Sequence, residues 1–381
     1  MLQAEHGTDR ARQAMLALTA LCLAALASGC APATAPTTSA APETPAALER
    51  SEELQQILMA YARPDEIFFP ADNPYSEAKV ELGKQLFFDP RLSGQNNLSC
   101  ASCHHPGMAW EDGQATSLGT PMTRLDRNTP TIQNLAWTPF LFWDGRAGSL
   151  EEQALMPITS DVEMAQHAGE LVEEINAIPG YVSAFEEIFP EEGVSEDTIA
   201  KAIATYERTV ISADTPFDRW VAGDEDAISD LAKAGFDVFT GKGRCSTCHA
   251  GWNFTDNAFH DIGLKTDDVG RYEVTRDPAD LHAFKTPSLR NTELRAPYMH
   301  DGSFTRMIDV INHYVDGFEE RPSLSPLLEP VELSNDEKFQ LFTFMKSLTS
   351  QDEPVAIPNL PISVPRVTGN LAPQAASEPQ D

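Results

Sequence analysis

Two five-residue runs, CASCH at 100–104 and CSTCH at 245–249, limit what this chain can fold into more than any other feature of it. Each sets two thiols three positions apart with an imidazole directly after the second. Zinc ribbons, redox dithiols and covalent haem all use paired thiols. A zinc ribbon spaces its two pairs about 15 to 20 residues apart, whereas Cys103 and Cys245 are 142 positions apart. A redox dithiol needs neither the recurrence nor the histidines. C-x-x-C-H is the attachment signature for c-type haem, in which both thiols add to vinyl groups and the next imidazole ligates iron from the proximal side. Cys100, Cys103 and His104 are therefore expected to hold one haem, and Cys245, Cys248 and His249 a second, with His104 and His249 on the irons.

The recurrence extends beyond the cysteines. TPTIQN at 129–134 matches TPSLRN at 286–291, and in both copies an aspartate followed by glycine stands ten residues after the asparagine, at Asp144 and Asp301. Upstream, Gly83 with Phe87 and Gly235 with Phe239 are spaced four apart on what reads as a short helix leading into the thiol pair. One ancestral haem domain has been duplicated. Ser149 with Glu152 three residues on forms a capping box, and the stretches 195–212 and 335–348 carry apolar residues at helical spacing. SFTRMIDVINHY reads as one helix capped by Ser303. Strand-like alternation is nearly absent. The expected fold is mostly α, two cytochrome c-like haem domains at 51–218 and 219–351 with their boundary near 215–225.

The flanks speak to compartment. Arg10 and Arg12 precede an uncharged run from Ala14 to Ala27, followed by Ser28, Gly29 and Cys30. A positive start, a short apolar core and small residues describe a secretory signal over 1–29, too short to span a membrane as a mature helix. The LASGC ending also resembles a lipoprotein signal, which would leave Cys30 lipidated as a membrane tether, although Ala27 stands where leucine is usual. Simple cleavage is the alternative. The expected location is the periplasm. Residues 30–50, mostly Pro, Ala and Thr, read as a spacer. The tail from Asp352, with six prolines, lacks periodicity. The net charge of −31 excludes nucleic acid as a partner and favours a basic protein or none, unless it simply reflects an acidic exported proteome.

The two copies differ where they face iron. Counting thirteen residues on from Asp144 and Asp301 reaches Pro157 and Tyr314. If this position lies over the distal face, the second haem gains a phenolic oxygen and the first, facing a proline, gains no donor. The first haem is then open and the second closed. Tyr314 as a packing residue is the alternative, and Met299, Met307 and His313 are rival ligands.

From about residue 75 to 350 the chain closely resembles the bacterial di-haem cytochrome c peroxidase and MauG superfamily: GKQLFFDPRLS, SCASCH, RNTPTIQN, FWDGRAGSLEEQA, CSTCH, FKTPSLRN and APYMHDGS occur in the family's order. The resemblance implies a peroxide site at the N-terminal haem, an electron relay or charge store at the C-terminal haem, a tryptophan between them and a calcium ion near the interface. By that resemblance Trp143 is the inter-haem bridge, unless it merely fills the interface. His300 holds its place in the second copy and is counted with the cofactor-contacting residues. Glu163 matches the distal glutamate, which moves a proton between the peroxide oxygens from a low-dielectric pocket, and Gln153 and Pro157 would line the same pocket. Asn128 matches the calcium-binding asparagine, with carbonyls of Arg295 and Pro297 as further ligands. The family often has threonine at Arg295.

Two departures are informative. Members that need reductive activation carry a distal histidine in the loop before the Arg-Asn pair; here Thr120 stands in that place, with Met122 as a rival cap. The family's methionine ligand on the second haem falls at Tyr314. Both resemble the MauG branch, and a phenolate favours high-valent iron more than a thioether does. The function implied is reduction of hydrogen peroxide with electrons from a cytochrome c or cupredoxin. The alternatives are oxidation of a partner protein's aromatic residues and a non-catalytic electron carrier in which Tyr314 and Met122 close both irons.

Overall fold

The computed structural model describes residues 51–362. The expected signal peptide, the lipidated Cys30, the spacer to residue 50 and the tail beyond 362 lie outside the described residues. Among the described residues the chain is mostly helical. The first helices are α1 (Glu52–Met59), α2 (Glu77–Phe87), α3 (Cys100–Cys103), α4 (Leu150–Thr159), α5 (Ala168–Asn176), α6 (Pro179–Ile188) and α7 (Glu196–Arg208). They are followed by α8 (Pro216–Val221), α9 (Asp230–Thr240), α10 (Tyr272–Thr275), α11 (Met307–Asp316) and α12 (Asn335–Lys346). Two two-residue strands, β1 (Phe259–His260) and β2 (Phe284–Lys285), pair antiparallel.

Serine sets where most of the long helices begin. The side chains of Ser76, Ser149, Ser195, Ser229 and Ser334 each accept a hydrogen bond from the backbone N–H three residues on, satisfying a donor that the helix leaves free. The expected start at Ser303 is not one of these. Tyr298 and Phe304 exchange backbone hydrogen bonds, with Tyr298 N–H donating to Phe304 O at 2.6 Å. That bridge holds Phe304 in an extended turn, so α11 begins three residues later, at Met307.

The duplication is visible as the same crossing made twice. Helix α2 packs on α7 and α9 on α12, and each pair crosses at a glycine. A Cβ on Gly83 would come within 1.9 Å of Ala202 O, and one on Gly235 within 2.1 Å of Gln340 O. The repeated Thr-Pro motif then closes the far end of each pair. Asn134 and Asn291, both with left-handed backbone (φ 63 and 58), donate their N–H to Val210 O at 2.9 Å and Leu348 O at 3.0 Å. Their side-chain oxygens accept from Ser212 N–H and Ser350 N–H. A residue that can turn left-handed and also bond sideways is what the motif needs, and asparagine is such a residue.

Two aromatic-rich cores result. Leu86, Phe87, Ile158, Tyr181, Phe185 and Ile203 fill the first. Phe217, Trp220, Phe236, Phe239, Phe254 and Phe344 fill the second, with ring centroids 5.0 to 6.1 Å apart among the phenylalanines that touch. Helix α1 precedes the first copy in sequence, yet its Leu58, with Tyr61 just after the helix, packs in the second core. After α12 the chain returns: Asp352 accepts from Gln133 Nε2 at 2.6 Å and Ala213 N–H at 2.7 Å, and Val355 rests against the first core.

Candidate functional site

Each C-x-x-C-H run lies at a cavity. Cys100, Cys103 and His104 line one of about 960 Å³, and Cys245, Cys248 and His249 line another of about 250 Å³. The four thiols form no disulfide. His104 Nδ1 faces Trp110 O at 3.2 Å and His249 Nδ1 faces Phe254 O at 2.9 Å. A ring nitrogen against a carbonyl carries the proton, which leaves Nε2 as a lone pair. Burial lowers both imidazole pKa values, so both rings are neutral, the form that ligates metal. Two free thiols and an oriented neutral imidazole on an open-mouthed cavity fit a c-type haem, and the fit occurs twice.

The first cavity is also lined by Gln153 and Pro157 of α4 and by Glu163 from the following turn. Glu163 O accepts from Thr120 N–H at 2.9 Å, tying the two loops together. Thr120 itself is buried with its hydroxyl unpartnered, and its neighbour Gly119, not Thr120, lines the cavity. Met122 is 77% exposed and stands in solvent. Glu207 of α7 lines the cavity from another side; it is buried, its Oε2 has no hydrogen-bond partner, and burial pushes its pKa up to about 8.

Tyr314 of α11 lines the second cavity, and burial pushes its phenol pKa up. Met299 and Met307 share that lining. His313 turns elsewhere, with Nε2 on Ile262 O at 2.9 Å. The helix thus presents Tyr314 and Met307, seven residues and about two turns apart, on one face.

Seven residues line both cavities, among them Asn128, Trp143, Lys285 and His300. The duplication is again exact in pattern here, since Asn128 and Lys285 both precede Thr-Pro and Trp143 and His300 both precede Asp-Gly. Asn128 N–H donates to His300 O at 2.7 Å and Lys285 N–H to Trp143 O at 2.8 Å. Each copy thereby holds the other's ring residue by its carbonyl. The Trp143 indole N–H donates to Asn128 O at 2.9 Å. His300 lies 6.5 Å from Trp143, centroid to centroid, and stacks on Phe284 at 3.6 Å. Burial lowers the His300 pKa to about 4, so this ring is neutral near pH 7. Arg127 fastens the copies together, bonding Asp144 at 2.6 Å and Asp268 at 2.7 and 2.9 Å.

Asn128, Arg295 and Pro297, the residues matched to a calcium ion, all line the second cavity. Asn128 Nδ2 donates to Gln114 O at 2.9 Å, which leaves Oδ1 as a free acceptor. An amide oxygen with two backbone carbonyls is an oxygen donor set that fits a hard cation. The Arg295 side chain is buried 3.6 Å from Glu111, whose pKa burial pushes up to about 8 against the pull of that guanidinium.

Glu207 and Lys285 are two charged cavity residues that sequence reasoning did not single out. Glu207 interrupts the buried face of α7, where an acid is unexpected. Lys285 is the second-copy counterpart of Asn128, which comparison of the two Thr-Pro motifs makes visible.

A family profile described as di-haem cytochrome c peroxidase matches residues 77–226. The chain is 44% identical over 336 residues to the methylamine utilization protein MauG of Methylorubrum extorquens, covering 87% of this chain and 95% of that protein. It is 38% identical over 312 residues to the cytochrome c551 peroxidase of Pseudomonas aeruginosa, covering 79% and 87%. Among solved structures, a MauG-like protein associated with microbial copper homeostasis matches with a TM-score of 0.71 at 33% identity, over 76% of this chain and 94% of that one.

Proposed function

Since the chain belongs to the di-haem cytochrome c peroxidase family, whose members are oxidoreductases acting on peroxide, we propose that it reduces hydrogen peroxide at the first cavity with electrons relayed through the second. Two c-type haems, which the family implies, supply a redox-active iron at each cavity when bound. Cys100, Cys103 and His104 would hold the first, and Cys245, Cys248, His249 and Tyr314 the second. We assign the halves 51–218 and 219–351 as the two haem domains, with α1 reaching across.

Glu163 takes a proton from the peroxide oxygen that binds and returns it to the oxygen that leaves, so one carboxyl serves as base and then acid. The Gln153 amide orients the peroxide. Pro157, which also lines this cavity, has no donor atom to offer an iron. Trp143 offers an oxidisable ring in the shared wall, its N–H fixed on Asn128 O. Asn128, Arg295 and Pro297 would hold a calcium ion by oxygen atoms. The observation that carries the reading is the pairing of a first cavity lined by Pro157 and Glu163 with a second lined by Tyr314. Met122 in solvent argues against a carrier with both irons closed.

The electron donor is a basic cytochrome c or cupredoxin, as the charge of −31 favours. A second reading, peroxide-dependent oxidation of aromatic residues on a partner protein, is favoured by the 44% identity to a MauG protein and by Tyr314. In both, the segment 1–29 exports the chain to the periplasm and a lipid on Cys30 tethers it to the membrane.

The test is stopped-flow mixing of the ferric protein with peroxide. Glu163→Gln keeps size and polarity but removes the base, and loss of general acid–base catalysis costs about 10²- to 10⁴-fold. A mutant rate within about threefold of wild type, against that floor, shows that Glu163 does not move the proton.

A further inference from the structure

Lys285 has a fixed backbone and an ammonium with nothing to hold. Its N–H donates to Trp143 O at 2.8 Å, and in β2 it sits opposite Phe259. Its Nζ makes no hydrogen bond and no ion pair with any described residue. The other cations nearby are matched: Arg127 by Asp144 and Asp268, Arg295 by Glu111, Arg321 by Asp261. Lys285 is half-buried and lines both cavities. Enclosure in protein pushes its pKa down to about 8, Arg295 adds to that push, and Asp256 opposes it without reaching the ammonium.

A cation half-buried beside two apolar-walled cavities and lacking a counter-charge is disfavoured. A fold that holds one in the wall between two ligand cavities, on a strand bonded along both edges, provides for an anion that arrives with the ligand. Haem brings ionised carboxylate side chains. We propose that Lys285 is a carboxylate anchor, its ammonium pairing with a carboxylate side chain of a haem bound in one of the cavities that share its wall. Position supports this. Lys285 stands where the first copy has Asn128, so the duplicated motif presents an amide to the wall from one side and an ammonium from the other. The inference rests on the two haems that the family implies and not on peroxide as oxidant.

A fixed positive charge beside a haem stabilises its reduced form, which carries one positive charge fewer. Lys285→Met keeps the length and removes the charge; Lys285→Arg keeps the charge. Spectroelectrochemical titration of the purified holoprotein reads both haems without peroxide. For Lys285→Met, the one-electron reduction equilibrium of at least one haem should fall about tenfold, ~59 mV to lower potential. Lys285→Arg should stay within about threefold of wild type on the same scale. Both potentials unchanged in Lys285→Met at full haem content would overturn the proposal. If Lys285→Met fails to retain haem, Lys285→Arg decides: retention supports a need for charge, and loss there too overturns the anchor in favour of packing. A normal Lys285→Met shift in a protein inert to peroxide would sink the peroxidase reading alone.

Discussion

Removing the Arg290 guanidinium should destabilise the second haem domain by an amount that the structure lets us work out. Arg290 is 2% exposed. Its two terminal nitrogens donate to the two oxygens of Asp218, both at 2.8 Å, its Nε donates to Trp252 O at 2.8 Å, and its plane lies 5.2 Å from the Trp252 ring. Arg290→Met leaves Asp218 buried beneath only the Thr215 donors, at 2.8 Å, and Arg63 at 3.5 Å. Breaking a buried pair from one side costs about 3–5 kcal/mol; with Arg63 near, the lower end, about 3 kcal/mol, applies. At about 2–4 °C per kcal/mol for chains somewhat shorter than this one, the midpoint should fall by about 6–12 °C. The assay is thermal unfolding followed by the absorbance of the second haem, beside Asp218→Asn and the double variant. Because paired removal leaves no orphaned charge, the double variant should lose less than the sum of the singles. Burial by itself would raise the Asp218 pKa, but the Arg290 pair outweighs it and holds it below the ordinary 3.8. The pair's contribution is therefore complete above that value and lost as pH falls through the lowered one, so the gap between wild type and Arg290→Met narrows in acid. A midpoint for Arg290→Met within about 1 °C of wild type, where about 6 °C is the least expected, or strict additivity in the double variant, would refute the reasoning.

Tyr314→Phe should leave the first-haem spectrum unchanged and alter that of the second, because Tyr314 lines only the second cavity; an unaltered second-haem spectrum makes Tyr314 a packing residue. Met122→Leu should leave both ferric spectra and the peroxide rate as in wild type, since Met122 is 77% exposed, and a new high-spin signal in that variant would show that Met122 reaches the first iron in solution.

The features legible in the sequence were those that chemistry holds to fixed spacing. The thiol pairs, the Thr-Pro motifs and the crossing glycines kept their intervals because each closes a contact at a set distance, as Gly83 does on Ala202 O. Asn134 and Asn291 could be matched by eye, but why they recur needed the left-handed turn at the ends of α7 and α12. Less legible were features set by long-range packing. Nothing local says that α1 completes the second core, that Phe304 pairs with Tyr298 and delays α11, or that His313 turns from the cavity to Ile262 O while Tyr314 beside it does not. Glu207 and Lys285 were passed over for a related reason: a charge is read as exposed until neighbours from distant segments are seen to enclose it.

The measurement that bears most directly on the account is the electron paramagnetic resonance spectrum of the as-isolated ferric protein, taken before any reductant is added. Pro157 and Glu163 at the first cavity and Tyr314 at the second predict one high-spin haem that binds an added exogenous ligand and one low-spin haem that does not. Two low-spin signals, neither changed by the added ligand, would contradict it and leave an electron carrier in place of a peroxidase.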